Sequence, residues 1–228
     1  MLLRSRAMLA LPMFALAACG SSDDNTTGVT TSTATVRFIN ATNSNIDVSN
    51  GGTVATGNGN VAFGGNSTCM TVNTAGTSGT GLAFNQAGTS TAIPGFTQSF
   101  STGGNYSVIA YPSSTGTQFA TISNTGFTPT SGQAGLRIFN AASTIGNVVA
   151  LGNGSAYGTG TGVSYGTSGS FMSVPAGAQT VTFNTGTGTT TVANAGSLNF
   201  TAGQNYTIVV APAATGSTTL RTFLVPGC

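Results

Sequence analysis

Few residues in this chain have the chemistry to move a proton, attack a bond or hold a metal. The 228 residues include no His, Lys, Glu or Trp, and the acids are Asp23, Asp24 and Asp47 alone. General acid–base catalysis at neutral pH draws on tuned His, Glu, Asp or Lys. Only Asp47 lies in a patterned region, and its counterpart in the repeat described below is Asn147, so neither a carboxylate pair nor a triad forms. Serines abound, but no base is present to activate one. Zinc would need more N and S ligands than the chain carries, and calcium at Asp47 would have to rely on carbonyls and amides. The adjacent Asp23 and Asp24 read as solvation of a polar tail. The expectation is therefore no catalytic residue, no metal and no cofactor. Arg37 and Arg137 stand at equivalent strand positions and suit an anionic ligand. The plainer expectation is a solvent-facing arginine whose stem covers apolar surface. Gly158-Thr-Gly-Thr-Gly162 lacks the Lys and the following helix of a phosphate loop, and reads as turn chemistry.

The three cysteines offer more. Leu16-Ala17-Ala18-Cys19 ends a short apolar run behind Arg4 and Arg6, the arrangement of a secretory signal. It resembles the lipobox of bacterial lipoproteins, in which the chain is cut before a cysteine that carries lipid. The run falls well short of the ~20 residues that span a bilayer, and an ordinary cleaved signal needs no cysteine at that place. The resemblance implies a diacylglycerol thioether and an acylated amine on Cys19, and several acyl chains anchor stably where one does not. Residues 1–18 are then leader. Residues 19–33, nearly free of apolar side chains, are a flexible tether with a reach of ~20 Å. Gly20, rather than an acid, after the cysteine leans toward the outer membrane by resemblance to the enterobacterial sorting rule. Cys69 and Cys228 remain. An exported compartment permits a disulfide between them; two free thiols, or Cys69 as a small hydrophobe, are the alternatives. In Cys69-Met-Thr-Val72, Met70 and Val72 share one strand face and Cys69 points to the other.

Without the leader, Arg37, Arg137 and Arg221 balance the three aspartates, so the formal charge of +2 on the full chain belongs to the leader. A neutral chain has no basic footprint for nucleic acid and no polybasic patch for a membrane. Charged residues make up 4% and hydrophobic ones 39% of the chain, so Thr, Ser, Asn and Gly must cover the surface around an adequate core. Near-zero charge removes the repulsion that keeps free proteins apart, which a membrane-held or assembling protein tolerates. Thirty-four glycines without a triplet period exclude collagen.

The chain repeats itself at a spacing of 100 residues. Val36-Arg-Phe-Ile-Asn-Ala41 returns as Leu136-Arg-Ile-Phe-Asn-Ala141, and Gly104-Asn-Tyr-Ser-Val-Ile-Ala-Tyr-Pro112 as Gln204-Asn-Tyr-Thr-Ile-Val-Val-Ala-Pro212. Val61-Ala-Phe-Gly64 and Cys69-Met-Thr-Val72 match Val163-Ser-Tyr-Gly166 and Phe171-Met-Ser-Val174 with a two-residue slip. So long a period means tandem domains, since solenoid repeats run to ~20–50 residues. The expected domains are 34–127 and 134–228, with 128–133 as linker. Thr180–Phe183 and Ser197–Phe200 alternate as half-buried strands do, whereas Tyr106–Ala110 and Tyr206–Val210 are continuously apolar, as central strands are. Gly57-Asn-Gly-Asn60 and Gly152-Asn-Gly154 supply the positive φ of tight hairpins. No helical periodicity is sustained. The pattern predicts an all-β fold of two tandem immunoglobulin-like antiparallel β-sandwiches after a signal peptide and flexible tether. Phe100–Tyr106 and Phe200–Tyr206 each read as strand, turn, then a tyrosine opening a strand. That is the layout of a tyrosine corner, in which the Tyr106 and Tyr206 hydroxyls would tie down the turn; a tyrosine half-buried at a strand end is the alternative.

Leu136-Arg-Ile-Phe-Asn-Ala141, Phe171-Met-Ser-Val-Pro-Ala-Gly177 and Ala202-Gly-Gln-Asn-Tyr-Thr-Ile-Val-Val210 resemble the bacterial domain-of-unknown-function family 4397. The resemblance covers both copies and implies a sandwich in the cell envelope, secreted or lipid-anchored and often in tandem, with no established activity. Asn40-Ala-Thr42 and Asn140-Ala-Ala142 stand where the family carries His-Ala-Ser, so no role of that histidine transfers. The function expected is a non-catalytic, lipid-anchored envelope protein, a binding or spacer module with a protein or envelope polymer as partner. A surface adhesin or self-assembling subunit is the alternative, motivated by the uncharged surface and by sheet edges. Glycan binding ranks below both for want of Trp.

Overall fold

The repeated segments pair with each other inside each copy, and the rest of each domain is built on that pair. A computed structural model describes residues 32–74, 81–157, 162–186, 190–214 and 216–228. The expected lipobox residues Leu16, Ala17 and Ala18, the lipidation site Cys19, the tether up to residue 31 and the glycine run at 158–161 lie outside them. In the first copy β1 (Thr33–Asn40) runs parallel to β6 (Asn105–Ser113). β4 (Met70–Asn73) and β7 (Gly116–Ser123) flank the pair antiparallel, giving the order β4-β1-β6-β7. A second sheet takes β3 (Thr53–Val54), β2 (Ile46–Asn50) and β5 (Leu82–Gln86), in the order β3-β2-β5.

The second copy repeats this plan. β8 (Gln133–Asn140) runs parallel to β14 (Asn205–Pro212), with β11 (Met172–Pro175) and β15 (Leu220–Pro226) outside them. The other sheet has the order β10-β9-β12-β13, from β10 (Ser155–Ala156), β9 (Val148–Gly152), β12 (Gly177–Thr185) and β13 (Thr191–Phe200). Val36 lies opposite Tyr106 and Leu136 opposite Tyr206, so the 100-residue spacing holds in register as well as in sequence.

The fold is all-β with two sandwich-like halves, as the strand pattern predicts. The central pair of each half is parallel where antiparallel pairing throughout was expected. Between β1 and β6 the chain visits the other sheet and comes back, so the two strands need no hairpin and can run the same way. Alternation shows which residues of a strand are buried, but not which strand lies beside it. β1 begins at Thr33 and β8 at Gln133, each claiming a residue assigned above to tether or linker.

Each half has its own core. Val36, Phe38 and Val108 meet Ile46, Val48 and Phe84 in the first, and Leu136, Ile138 and Ile208 meet Val148, Val181 and Phe183 in the second. The first is rich in aromatic contacts: Phe84 lies 5.0 Å from Phe38, 4.9 Å from Phe96 and 4.6 Å from Phe119, ring centre to ring centre. A third core lies between the halves. Ile39, Ala41, Ile109 and Tyr111, on the outer face of the first central pair, are buried against Phe139, Ala141, Val209 and Ala211 of the second. The sheets therefore stack in four layers with the two central pairs innermost. This is why β6 and β14 read as continuously apolar: strands covered on both faces lose their alternation.

Turn chemistry follows the same logic in both copies. Gly152 pairs with Ser155 across Asn153-Gly154, whose φ values of 48° and 84° are those of a two-residue hairpin turn. In the first copy that place belongs to Gly51-Gly52 (φ 60° and 83°), between the paired Asn50 and Thr53. Gly57–Asn60, expected to make that tight hairpin, forms a wider loop instead, with positive φ at Gly57 and Asn60 only.

Candidate functional site

Asp47, the one carboxylate of the described residues, is bound to backbone. Its Oδ1 accepts the Asn60 N–H at 2.6 Å and its Oδ2 the Gly88 N–H at 2.8 Å, which joins two loops to β2. In the second copy, the Asn147 Oδ1 accepts the Ser164 hydroxyl at 3.0 Å. Asp47→Asn is expected to cost about 1–2 kcal/mol in urea unfolding, because an amide has one acceptor oxygen for two N–H donors. Among the described residues, no three His, Cys, Asp or Glu side chains come together to hold a metal.

Asn40 and Asn140, where the resemblance places a histidine, are fully buried. The Asn40 side-chain amide donates to the carbonyls of Ser44 (2.7 Å) and Val61 (2.8 Å), and its Oδ1 accepts the Thr42 N–H and hydroxyl. Asn140 does the same with the Gly146 and Val163 carbonyls and the Ala142 N–H. Each joins the end of a central strand to two neighbouring segments, so every polar atom of the side chain is satisfied in place.

Tyr106 and Tyr206 hold their turns. The Ser101 N–H donates to the Tyr106 hydroxyl at 3.1 Å and the Thr201 N–H to the Tyr206 hydroxyl at 3.2 Å. Each ring lies against the phenylalanine at the start of its turn, with centroids 4.9 Å apart for Phe100–Tyr106 and 5.4 Å for Phe200–Tyr206. Tyr206→Phe keeps the ring and leaves the Thr201 N–H without its acceptor. Its expected cost is about 1 kcal/mol in urea unfolding.

Most of the remaining chemistry gathers along the seam between the halves. Arg137 does not face solvent, as the plainer reading of the sequence had it, and Arg37 is half-buried. They share strand faces with Ile39 and Phe139, the faces that meet in the third core. Arg137 is 3% exposed. Its Nε donates to the Thr207 hydroxyl at 3.0 Å, its Nη1 to the Ser123 carbonyl at 2.6 Å, and its Nη2 to the Asn124 Oδ1. Burial pulls its pKa down to about 10, which leaves it charged at neutral pH. The guanidinium also lies 4.4 Å from the centre of the Phe171 ring, which is itself stacked on Phe127. Arg37 mirrors it. Its Nη1 donates to the Pro226 carbonyl at 2.6 Å and its Nη2 to the Cys69 Sγ at 3.0 Å. Ser123 pairs with Tyr106 and Pro226 with Tyr206, so each arginine crosses to the corresponding carbonyl of the opposite half.

Cys69 and Cys228 are joined in a disulfide, with Cα atoms 6.0 Å apart, and this bond crosses the same seam. Backbone approaches closely here too: a Cβ on Gly166 (φ +73°) would come 3.0 Å from the Tyr111 hydroxyl. The segment joining the halves is fastened rather than loose. The Thr130 N–H donates to the Ser173 hydroxyl at 3.1 Å, and the Asn205 amide to the Phe127 carbonyl at 3.1 Å.

Several clefts open along the seam among the described residues, and two are the roomier. One, of about 540 Å³, has Ser123, Phe127, Arg137 and Phe171 among its walls. The other, of about 410 Å³, is lined by residues that include Pro112, Gln118, Ser143, Tyr165 and Pro212. The Tyr165 hydroxyl donates to the Pro112 carbonyl across this second cleft. The walls offer hydroxyls, amides and rings, and the one charge among them already has protein acceptors.

The family description matches residues 34–151 and 150–226, nearly all of the chain after the expected tether. The chain belongs to the domain-of-unknown-function family DUF4397. No curated protein matches it. In this DUF4397 chain sequence reasoning named Arg37 and Arg137 but missed that they cross the seam, and it missed Asn124 and the Phe127–Phe171 stack altogether. The signal available was the recurrence of Arg at 37 and 137 in a chain with almost no other charge.

Proposed function

We propose that this protein is a non-catalytic, lipid-anchored module of the bacterial cell envelope, held at the membrane through Cys19 and acting as a spacer or as a rigid binding surface. The reading is carried by the way the charged groups are used. Asp47, Arg37 and Arg137 are all engaged in holding backbone or sulfur. None is left facing a cleft with a free acceptor or a proton to give, so the seam is built for rigidity and not for turnover. The lipobox-like Leu16-Ala17-Ala18-Cys19 supports the address, and a disulfide suits an exported compartment.

Protease treatment of intact cells tests this, with lysed cells and a Cys19→Ser variant as controls. The parent chain is expected to fractionate with membranes and Cys19→Ser with the soluble fraction; equal solubility of the two would remove the anchor. Release of the folded halves from intact cells would favour adhesion, and protection until lysis a periplasmic spacer or binding role.

A further inference from the structure

The disulfide has two unequal sulfurs. Cys69 and Cys228 are both exposed residues, which puts the bond at the surface of the protein. Among the described residues, Cys69 has a cation on its sulfur and Cys228 has none. Arg37 donates to the Cys69 Sγ while its other terminal nitrogen is fixed on the Pro226 carbonyl, so the guanidinium cannot swing away without losing two partners. The other described arginines are placed elsewhere. Arg137 is held at Ser123 and Asn124, and Arg221 sits at the far end of β15, opposite Ala211.

We propose that Cys69–Cys228 is a directional exchange site for small monothiols of the glutathione kind. The incoming thiolate attacks the Cys228 Sγ. A new S–S bond forms there, the old one breaks, and its electron pair leaves on the Cys69 Sγ as a thiolate held by Arg37. No net oxidation occurs in this step: one disulfide and one thiolate are consumed, and one mixed disulfide and one thiolate are produced. A second thiolate attacking the mixed disulfide would free Cys228 and release the oxidised reagent. The direction follows from leaving-group chemistry. The thiol of lower pKa departs faster, and a neighbouring cation lowers a thiol pKa. Because the seam keeps its core without the bond, the Cys69 thiolate stays close and can expel the reagent, restoring the disulfide when the thiol is removed.

The test uses the full chain with Cys19→Ser, so that two sulfurs alone can react. The folded protein is mixed with excess reduced glutathione, quenched in acid and mapped by mass spectrometry. Glutathione is expected on Cys228 over Cys69 by about tenfold. After full reduction, alkylation against pH is expected to show the Cys69 thiol, held by Arg37, reacting at lower pH than the Cys228 thiol. Arg37→Ala should slow exchange about three- to tenfold and abolish the preference, while Arg37→Lys keeps most of both. Glutathione on Cys69, an even division, or an unchanged preference in Arg37→Ala would overturn the proposal. If Arg37→Ala does not fold, the alkylation profile of the parent decides alone: a Cys69 thiol titrating at or above Cys228 is fatal.

Discussion

Cys69→Ser is expected to lower the unfolding free energy by about 5 kcal/mol, the largest effect of any single change at the seam. The bond closes a loop between residues 159 apart in sequence, and the entropy such a closure removes from the unfolded chain grows with the logarithm of loop length. Both cysteines are exposed, so the substitution removes little packing and isolates the loop term. Cys228→Ser should cost the same, and the double variant no more than either single one, because all three open one loop. Urea midpoints of the oxidised parent and the three variants, measured with Cys19→Ser throughout, provide the check. A loss below about 1 kcal/mol would show that the unfolded chain already keeps its ends together. Additive single losses would show that each cysteine contributes through packing instead.

Arg137→Ala comes second, at about 3–5 kcal/mol. Three changes act together. The stem leaves a space beside Phe171, the Ser123 carbonyl and the Asn124 Oδ1 lose their strongest donor, and the Thr207 hydroxyl loses a partner. Asn124 is 9% exposed, so water does not readily replace what it loses. Arg137→Lys should recover less than half of the loss, since one ammonium on a flexible stem cannot reach three acceptors spread around a planar fork. Arg37→Ala provides the comparison. Its nitrogen Nε already lacks a partner and its contacts are exposed, so about 1 kcal/mol is expected. Equal losses at the two arginines in urea unfolding would contradict the argument from burial.

Much of this architecture is legible in the amino-acid sequence. The repeat at 100 residues carries the strand register, since Val36 and Leu136 face Tyr106 and Tyr206 in the two copies. Asn153-Gly154 marks its hairpin because few residue pairs accept positive φ in succession. Met70 and Val72 turn inward and leave Cys69 outside, as strand alternation requires. The third core is harder to see, although its trace is present. Phe139 and Ala141 continue one strand face while Leu136 and Ile138 occupy the other, so β8 is apolar on both sides and needs cover on both. Arg137 lies on the first of these faces. An arginine on an apolar face reads as a surface residue until the second layer of cover is recognised. The direction of strand pairing leaves no such trace, because hydrogen bonds between strands use backbone that every residue has. The Cys69–Cys228 pair is open to a disulfide in the sequence once Cys19 is set aside, but the bond itself is not fixed there, since spacing along the chain does not fix distance across it.

The crossed arginines bear on how many copies this surface can join. Each half offers the same face to the other, and what one arginine does to the opposite carbonyl the second returns. That is the geometry of a two-fold dimer in which one peptide links the subunits, and such a contact is closed: both faces are used up when the pair forms. The seam therefore cannot hand a free face on to a third domain or grow into a filament. A higher assembly of this protein would have to be made through the outermost sheets, β3-β2-β5 and β10-β9-β12-β13, or through strand edges.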